Sequence, residues 1–177
     1  MKGKQLNFFL KQGDITTAKV DAIVNAANPY LAGGGGVDGA IHLAAGPKLL
    51  QACQQIVAKQ GILKPGEAVI TPGFNLSAMF VIHAVGPVWS GQEREITVLE
   101  TTYQRCLTLA KEYNLKKIAF PAISCGAYGF PLNIGVKVAV NSLLKGLANG
   151  LAEQIFFYCY NQEVWNLAKQ IYPYTKE

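Results

Sequence analysis

The sequence has few charged residues and no long apolar run. Asp, Glu, Lys and Arg make up 15% of its 177 residues, against roughly 25% in an average soluble domain. Half of the chain is hydrophobic, which is enough apolar material for a core and argues against disorder. The longest apolar runs, such as Ala78–Val85 with His83 inside it, fall far short of the roughly 20 residues that a membrane-spanning helix needs. We therefore expect one folded domain, residues 1–177, without a membrane segment.

The N-terminus lacks the features of a secretory signal, and the cysteines lack the spacing of a metal site. Met1–Gln5 leads directly into a strand-like Leu6–Leu10, without a long apolar core or a small-residue cleavage site.

No C-x-x-C pair is present, and the cysteines do not have metal-ligand spacing with the two histidines. We therefore expect a reducing, cytoplasmic setting and neither a metal nor a cofactor. The cysteines are Cys53, Cys106, Cys125 and Cys159.

The positive charge of the chain is spread thinly. Sixteen Lys and Arg against eleven Asp and Glu give a formal net charge of +5, which favours an anionic partner. The tightest basic cluster is Lys116–Lys117, so the chain shows no continuous stripe that would follow a nucleic-acid backbone. A nucleotide, a nucleic acid and an acidic protein all stay open as partners on charge alone.

Helix and strand signals alternate along the chain, which predicts an α/β domain with a mostly parallel central sheet covered on both faces. Two apolar stripes at helical spacing separate the strands, and further helices are predicted over Leu132–Leu147 and Glu163–Ile171. The stripes are Leu49, Leu50, Cys53, Ile56 and Val57, and Leu99, Tyr103, Cys106, Ala110 and Tyr113. The predicted strands are Leu6–Leu10, Asp21–Asn25, Glu67–Thr71, Met79–Val85, Lys117–Pro121 and Gln154–Tyr160.

Two glycine-bearing loops follow two of these strands, where ligands of such sheets gather. Gly33–Gly36 leaves backbone N–H groups unshielded, and Val37–His42 then has the character of a helix start. Backbone donors and the positive end of a helix dipole suit a diphosphate, and Ser124–Pro131 offers a second set of donors. A flexible surface turn is the alternative interpretation of the first loop.

Two common nucleotide motifs do not fit the first loop. Gly34, Gly36 and Gly39 have the spacing of a dinucleotide fingerprint, but that motif directly follows its strand and has an acidic residue about 20 positions later. Here Lys59 and Gln60 occupy that region, which speaks against a nicotinamide-dependent oxidoreductase. A Walker A loop also fails, because no Gly-Lys-Ser/Thr follows.

Several spaced blocks together give the chain a resemblance to the macrodomain family, of the MacroD type. The blocks are Gly13–Thr16, Asp21–Asn28, Gly33–His42, Ala44–Gly46 and Pro121–Pro131. The resemblance implies a three-layer α/β/α sandwich around a mixed, mostly parallel sheet of about six strands that binds ADP-ribose. It further implies hydrolysis of mono-ADP-ribose esterified to acidic side chains of proteins, and deacetylation of O-acetyl-ADP-ribose.

The resemblance also implies binding roles for individual residues. Asp14 matches the carboxylate that accepts a hydrogen bond from the adenine amino group, and Tyr160 resembles the aromatic that packs on adenine. Cys125 and Phe130 stand where the family more often has Thr and Tyr, which keeps backbone donation but removes two hydroxyls. The implied ADP-ribose-binding residues are Asp14, Ile15, Asn25, Gly35, Gly36, Val37, Ser124, Cys125, Gly126, Ala127, Tyr128, Phe130 and Tyr160.

Three residues are the candidates for catalysis by the same resemblance. Asn28 would orient the distal ribose, and Asp38 would activate a water held between it and the substrate phosphate. A neighbouring diphosphate disfavours the ionised carboxylate and so raises its basicity, as a general base requires. His42 lies four residues after Asp38, so the two side chains share one helix face. Structural roles are the alternatives: a turn for Asp14, a helix N-cap for Asp38, and a hydrogen-bonded core position for His83, which we exclude from the site.

Three other functions compete with hydrolysis. Cys125 could act as a nucleophile with His42 or His83 as its base, although no basic neighbour signals a reactive thiol. A binding module would use the same adenine and diphosphate contacts without lowering a barrier, and the pairing of Asn28 with Asp38 argues against it. Single-stranded nucleic acid would bind with steep salt dependence, and ADP-ribosylated nucleic-acid ends are a further substrate for the same pocket.

Overall fold

The computed structural model describes residues 6–174, and its centre is one sheet of six strands. The strands are β1 (Phe8–Gln12), β2 (Ala22–Ala26), β3 (Ala68–Pro72), β4 (Phe80–Ala84), β5 (Lys117–Phe120) and β6 (Gln154–Cys159). They lie in the order β1-β6-β5-β2-β4-β3. All neighbours are parallel except β3 and β4, which are antiparallel. The predicted mixed, mostly parallel sheet of about six strands is confirmed.

Helices cover both faces of this sheet. The helices are α1 (Gly36–Ala45), α2 (Pro47–Gln60), α3 (Arg94–Glu112), α4 (Leu132–Ala148) and α5 (Gln162–Ile171), with a short 3-10 turn at Ile15–Thr17. Successive strand residues point to opposite faces: Val24 packs under α3 and α4, whereas Ile23 packs under α1. The chain therefore forms the expected three-layer α/β/α sandwich, with α3, α4 and α5 on one side and α1 and α2 on the other.

Element boundaries differ from the prediction where polar residues continue a strand or an apolar residue follows a helix. The first strand runs to Gln12 rather than Leu10, because its pairing with β6 continues through exposed Lys11 and Gln12. The prediction that Tyr113 belongs to the core stripe of the second helix is wrong. Helix α3 ends at Glu112, and the ring of Tyr113 is half exposed. Residues 1–5 and 175–177 of the predicted domain, which include the N-terminal segment Met1–Gln5, lie outside the described residues.

The sheet topology brings the two glycine loops to the same edge. Strands β2 and β5 are parallel neighbours, so the loops that follow them leave the sheet side by side. The first loop ends in α1 and the second ends in α4. None of the helices within residues 6–174 is long and apolar enough to span a membrane.

Candidate functional site

A cavity of about 620 Å³ lies at this edge, between the two glycine loops. Its volume is in the range of pockets that hold small molecules, roughly 300 to 1,000 Å³. Of the sixteen predicted site residues, four do not line it: Asn25, His42, Cys125 and Phe130. The twelve that line it are Asp14, Ile15, Asn28, Gly35, Gly36, Val37, Asp38, Ser124, Gly126, Ala127, Tyr128 and Tyr160. The structure thus brings together residues from both glycine loops, the first turn of the chain and the last strand.

The first loop presents the start of α1 to the cavity. Gly35 precedes the helix and supplies no side-chain cap, so the first backbone N–H groups of α1 keep their donor capacity. Gly36 adopts a φ of 58°, which favours glycine. At Gly39 a Cβ would lie 2.4 Å from the carbonyl oxygen of Gly34, so only glycine allows this close approach of loop and helix. The loop therefore has a defined shape rather than that of a flexible turn, and its free backbone N–H groups are the donors that an anion cradle would use.

The second loop is held from below by Tyr103, a fully buried residue of α3. Its hydroxyl accepts a hydrogen bond from the Ile123 N–H (2.8 Å) and donates to the Pro121 carbonyl (3.4 Å). Ser124 follows with a φ of 64°, and the Phe130 N–H donates to its carbonyl at 3.0 Å. Because these contacts fix the backbone on both sides of Ser124, the donors of Gly126–Tyr128 have a defined direction.

Asp38 lies on the cavity wall and is buried, with 6% of its surface exposed. It does not cap α1, because the helix begins at Gly36 and Gly35 precedes it. Its Oδ1 accepts a hydrogen bond from the Asn25 side-chain amide at 2.8 Å and lies 3.4 Å from Nε2 of His42. The expected contact between Asp38 and His42 is confirmed. Asn25 and His42 therefore contact Asp38 and do not line the cavity themselves.

Asn28 lines the cavity, and its side chain also shapes the first loop. Its Oδ1 accepts from the N–H groups of Tyr30 (3.1 Å) and Ala32 (3.3 Å), while Nδ2 donates to the Gly33 carbonyl (2.9 Å). An amide nitrogen carries two hydrogens, so one donor remains for a ligand. Asn28 can therefore serve both the loop and a bound molecule.

Asp14 also lines the cavity, and it is both a cap and a candidate ligand contact. Its Oδ1 accepts from the N–H (2.9 Å) and the hydroxyl (2.7 Å) of Thr16, which confirms the alternative role in local structure. Both bonds use Oδ1, so within the described residues Oδ2 of Asp14 keeps its capacity to accept a hydrogen bond from a ligand. Burial, and then the charge of Asp14, raise the pKa of Tyr158 above its ordinary value of 10, which places the two groups within electrostatic reach.

Tyr158 is a cavity residue that the sequence analysis missed. A signal for it was available, because period-two alternation in the predicted strand Gln154–Tyr160 puts Tyr158 on the same face as Tyr160. Tyr160 itself is 57% exposed, and its hydroxyl donates to the Cys125 carbonyl at 3.3 Å. Both rings therefore line the same cavity, at the end of β6 and just after it.

Cys125 and Phe130 point away from the cavity into the core. The sulfur of Cys125 faces Gly135 of α4, where an added Cβ would lie only 2.4 Å away. The ring of Phe130 packs against Trp89 at 4.7 Å between centroids. Burial raises the pKa of the Cys125 thiol to about 12, the opposite of what a nucleophile needs. The interpretation of Cys125 as a nucleophile therefore loses its support. The side chains of Cys125 and Phe130 pack in the core and do not contact the cavity.

Comparison with known proteins places this architecture in a family. The Macro domain family model matches residues 24–139, a span that contains Asp38 and both glycine loops. The chain belongs to the macrodomain family. A protein of Salmonella typhimurium named O-acetyl-ADP-ribose deacetylase is 54% identical to this macrodomain over 158 residues, which cover 88% of each chain. A protein of Enterobacter cloacae with the same name is 50% identical over 161 residues, 90% of this chain and 89% of its own.

Solved macrodomain structures match the fold of this macrodomain closely. The Oceanobacillus iheyensis macrodomain with ADP superposes with a TM-score of 0.86 at 37% identity, covering 93% of this chain and 90% of its own. The Trypanosoma brucei macrodomain in complex with ADP-ribose gives a TM-score of 0.84 at 37% identity, covering 93% of this chain and 68% of its own. The likeness extends over nearly the whole described macrodomain.

Proposed function

We propose that this macrodomain binds ADP-ribose and hydrolyses ADP-ribose esters. The substrates are O-acetyl-ADP-ribose, which is deacetylated, and proteins mono-ADP-ribosylated on acidic side chains, which are released from the modification. One observation carries the proposal: a buried carboxylate, Asp38, lies on the wall of a cavity that two sets of backbone N–H donors flank. Such donors suit a diphosphate, and a carboxylate beside it suits a general base.

The reaction needs only water and the groups that this cavity presents. Water held between the substrate phosphate and Asp38 attacks the ester-bearing centre, so a new carbon–oxygen bond forms while the ester bond breaks. Its proton passes to Asp38, which returns a proton to the departing group, and the acid and ADP-ribose leave. Asn28, with its remaining amide hydrogen, orients the distal ribose, and Tyr128 walls it on the side of the second loop. His42, 3.4 Å from Asp38, orients the carboxylate.

The relatives support the proposal. The Salmonella typhimurium and Enterobacter cloacae proteins carry the name O-acetyl-ADP-ribose deacetylase at 50% identity or more, and the solved neighbours bind ADP or ADP-ribose. Release from modified proteins, and from ADP-ribosylated nucleic-acid ends, rests on the shared ester chemistry alone. The cytoplasm is the proposed setting, because all four cysteines are free and buried.

The test is to follow two products from the purified wild-type chain. We expect acetate release from O-acetyl-ADP-ribose, and ADP-ribose release from a protein that carries mono-ADP-ribose on glutamate. A chain that binds ADP-ribose in calorimetry but releases neither product would be the alternative binding module. Affinity for single-stranded nucleic acid that falls steeply with salt and that ADP-ribose does not compete would instead favour nucleic-acid binding.

Asp14 provides a prediction about base recognition. A carboxylate accepts from the amino group of adenine, whereas an amide can turn its NH₂ group toward a carbonyl-bearing base. Asp14→Asn is therefore expected to weaken ADP-ribose binding by about tenfold, as loss of one hydrogen bond to a charged group implies. It should bind the hypoxanthine analogue of ADP-ribose more tightly than wild type does. Calorimetry with both ligands measures the switch.

The control for this experiment is Thr16→Val, which removes the hydroxyl that Asp14 accepts from while leaving the carboxylate. If Asp14 acts only as a cap, Asp14→Asn should bind both ligands as wild type does, because its amide oxygen still accepts from Thr16. An unchanged preference for adenine in Asp14→Asn would remove Asp14 from base recognition.

A further inference from the structure

A line of buried polar side chains crosses the sheet beneath α1 and α2. Asn25 of β2 lies opposite His83 of β4 in the parallel register. Thr71 of β3 lies two residues from Val69, the residue opposite His83 on the other side, so all three side chains share one face. Asn25 and His83 have no exposed surface, and Thr71 is 3% exposed. The line runs from the edge strand β3 to Asp38.

While Asp38 is ionised, the hydrogen bonds along this line determine which ring nitrogen of His83 carries the proton. The Asn25 Nδ2 group donates one hydrogen to Oδ1 of Asp38 at 2.8 Å and the other to Nδ1 of His83 at 3.2 Å. Nδ1 must therefore carry a lone pair, and the proton of the neutral imidazole lies on Nε2. Nε2 is 2.9 Å from Oγ1 of Thr71, which accepts from it. Burial, and then His42, lower the pKa of His83 to about 3, so the ring is neutral.

The orientation of the Asn25 amide depends on these partners alone. Its Oδ1 is buried and has no hydrogen-bond partner within the described part of the chain, and an amide has the same shape when it is flipped. A proton on Nδ1 of His83 would repel the NH₂ group and favour the flipped amide. Oδ1 of Asn25 would then face the Asp38 carboxylate, and Asp38 would lose its donor.

We propose that Thr71 and His83 are positioning residues that hold the Asn25 amide with its NH₂ group toward Asp38 and so hold Asp38 for the reaction. This inference rests on the proposed function, in which Asp38 is the general base. Neither residue lines the cavity, so each acts through Asn25. Cys53 contributes the opposing contact: its thiol lies 3.7 Å from Nε2 of His83, and burial raises its pKa to about 11. As a protonated donor, the thiol favours the tautomer with a lone pair on Nε2, and Thr71 is the better acceptor for a proton on Nε2, so loss of the Thr71 hydroxyl shifts the ring toward the other tautomer.

The test compares Thr71→Val with Thr71→Ser. Valine is close to threonine in shape but lacks the acceptor, whereas serine retains it. For Thr71→Val we expect kcat on O-acetyl-ADP-ribose to fall about tenfold, because a displaced catalytic group loses rate steeply. The dissociation constant for ADP-ribose should stay within about twofold, since the cavity lining is unchanged. Thr71→Ser should restore kcat to within about twofold of wild type.

The nitrogen-15 chemical shifts of the His83 ring give a readout that does not need turnover. Wild type and Thr71→Ser should show a protonated Nε2 and an unprotonated Nδ1, and Thr71→Val should show a mixture of tautomers. Wild-type kcat in Thr71→Val, or a protonated Nδ1 in the wild-type chain, would overturn the positioning role while hydrolysis stands. A wild-type chain that binds ADP-ribose and releases no product would overturn the proposed function itself, and the positioning role with it.

Discussion

Asp38→Ala is expected to lower kcat for both ester substrates by roughly 100- to 10,000-fold, the contribution of a positioned general base. Asp38 is the buried carboxylate of the cavity wall, held by Asn25 at 2.8 Å and close to His42. Without it, water beside the substrate diphosphate has no group to accept its proton. Steady-state kinetics with O-acetyl-ADP-ribose, and with a protein mono-ADP-ribosylated on glutamate, measures the loss.

Binding of ADP-ribose should be nearly unchanged in Asp38→Ala. The diphosphate is proposed to bind to backbone N–H groups of the two loops, and a carboxylate beside it repels rather than attracts it. The loss should therefore fall on kcat and leave the dissociation constant within a few fold of wild type. This division between rate and affinity separates a catalytic residue from one that only shapes the cavity.

Asp38→Asn is the matched control for this prediction. An asparagine oxygen at this position still accepts from the Asn25 amide, so the local structure is kept while the base is removed. If a carboxylate is needed, both variants should be equally slow. Should Asp38→Asn turn over at the wild-type rate, Asp38 would have a structural role and the mechanism would need another base.

Short-range spacing was enough to predict the parts of the site that lie close together in sequence. The run Gly33–Gly36 followed by a helix start indicated an anion cradle, and the i, i+4 spacing of Asp38 and His42 predicted their contact on one face of α1. All of these residues lie within ten positions of one another in the sequence. Local backbone geometry determines such contacts, so residue spacing in the sequence is enough to predict them.

The remaining features depend on sheet order and side-chain direction, which a single sequence does not encode locally. Asn25 and His83 are 58 positions apart and meet because β2 and β4 are neighbours in the sheet. The prediction of His83 as a hydrogen-bonded core histidine is confirmed. Its connection to Asp38 through Asn25 could not be predicted, because it depends on β2 and β4 being neighbours in the sheet. Likewise, Cys125 and Phe130 flank cavity residues in sequence, yet packing against Gly135 and Trp89 turns both side chains into the core.

The buried His83 also predicts how the stability of the fold depends on pH. Burial, and then His42, lower its pKa in the folded chain to about 3, whereas an unfolded chain restores the ordinary value of about 6.5. Between these values the unfolded chain binds a proton that the folded chain refuses. The contribution of His83 to stability is therefore complete above pH 6.5 and is lost as the pH falls toward 3.

We expect the free energy of unfolding to fall by up to about 1.4 kcal/mol per pH unit from this one residue across that window. Urea denaturation of wild type and His83→Gln at pH 7, 6, 5 and 4 isolates the effect, because the two chains differ at no other position. The difference in stability between the two should shrink as the pH falls. A constant difference would mean that His83 takes up its proton in the folded state, and the neutral tautomer on which Asn25 depends would then be lost well above pH 4.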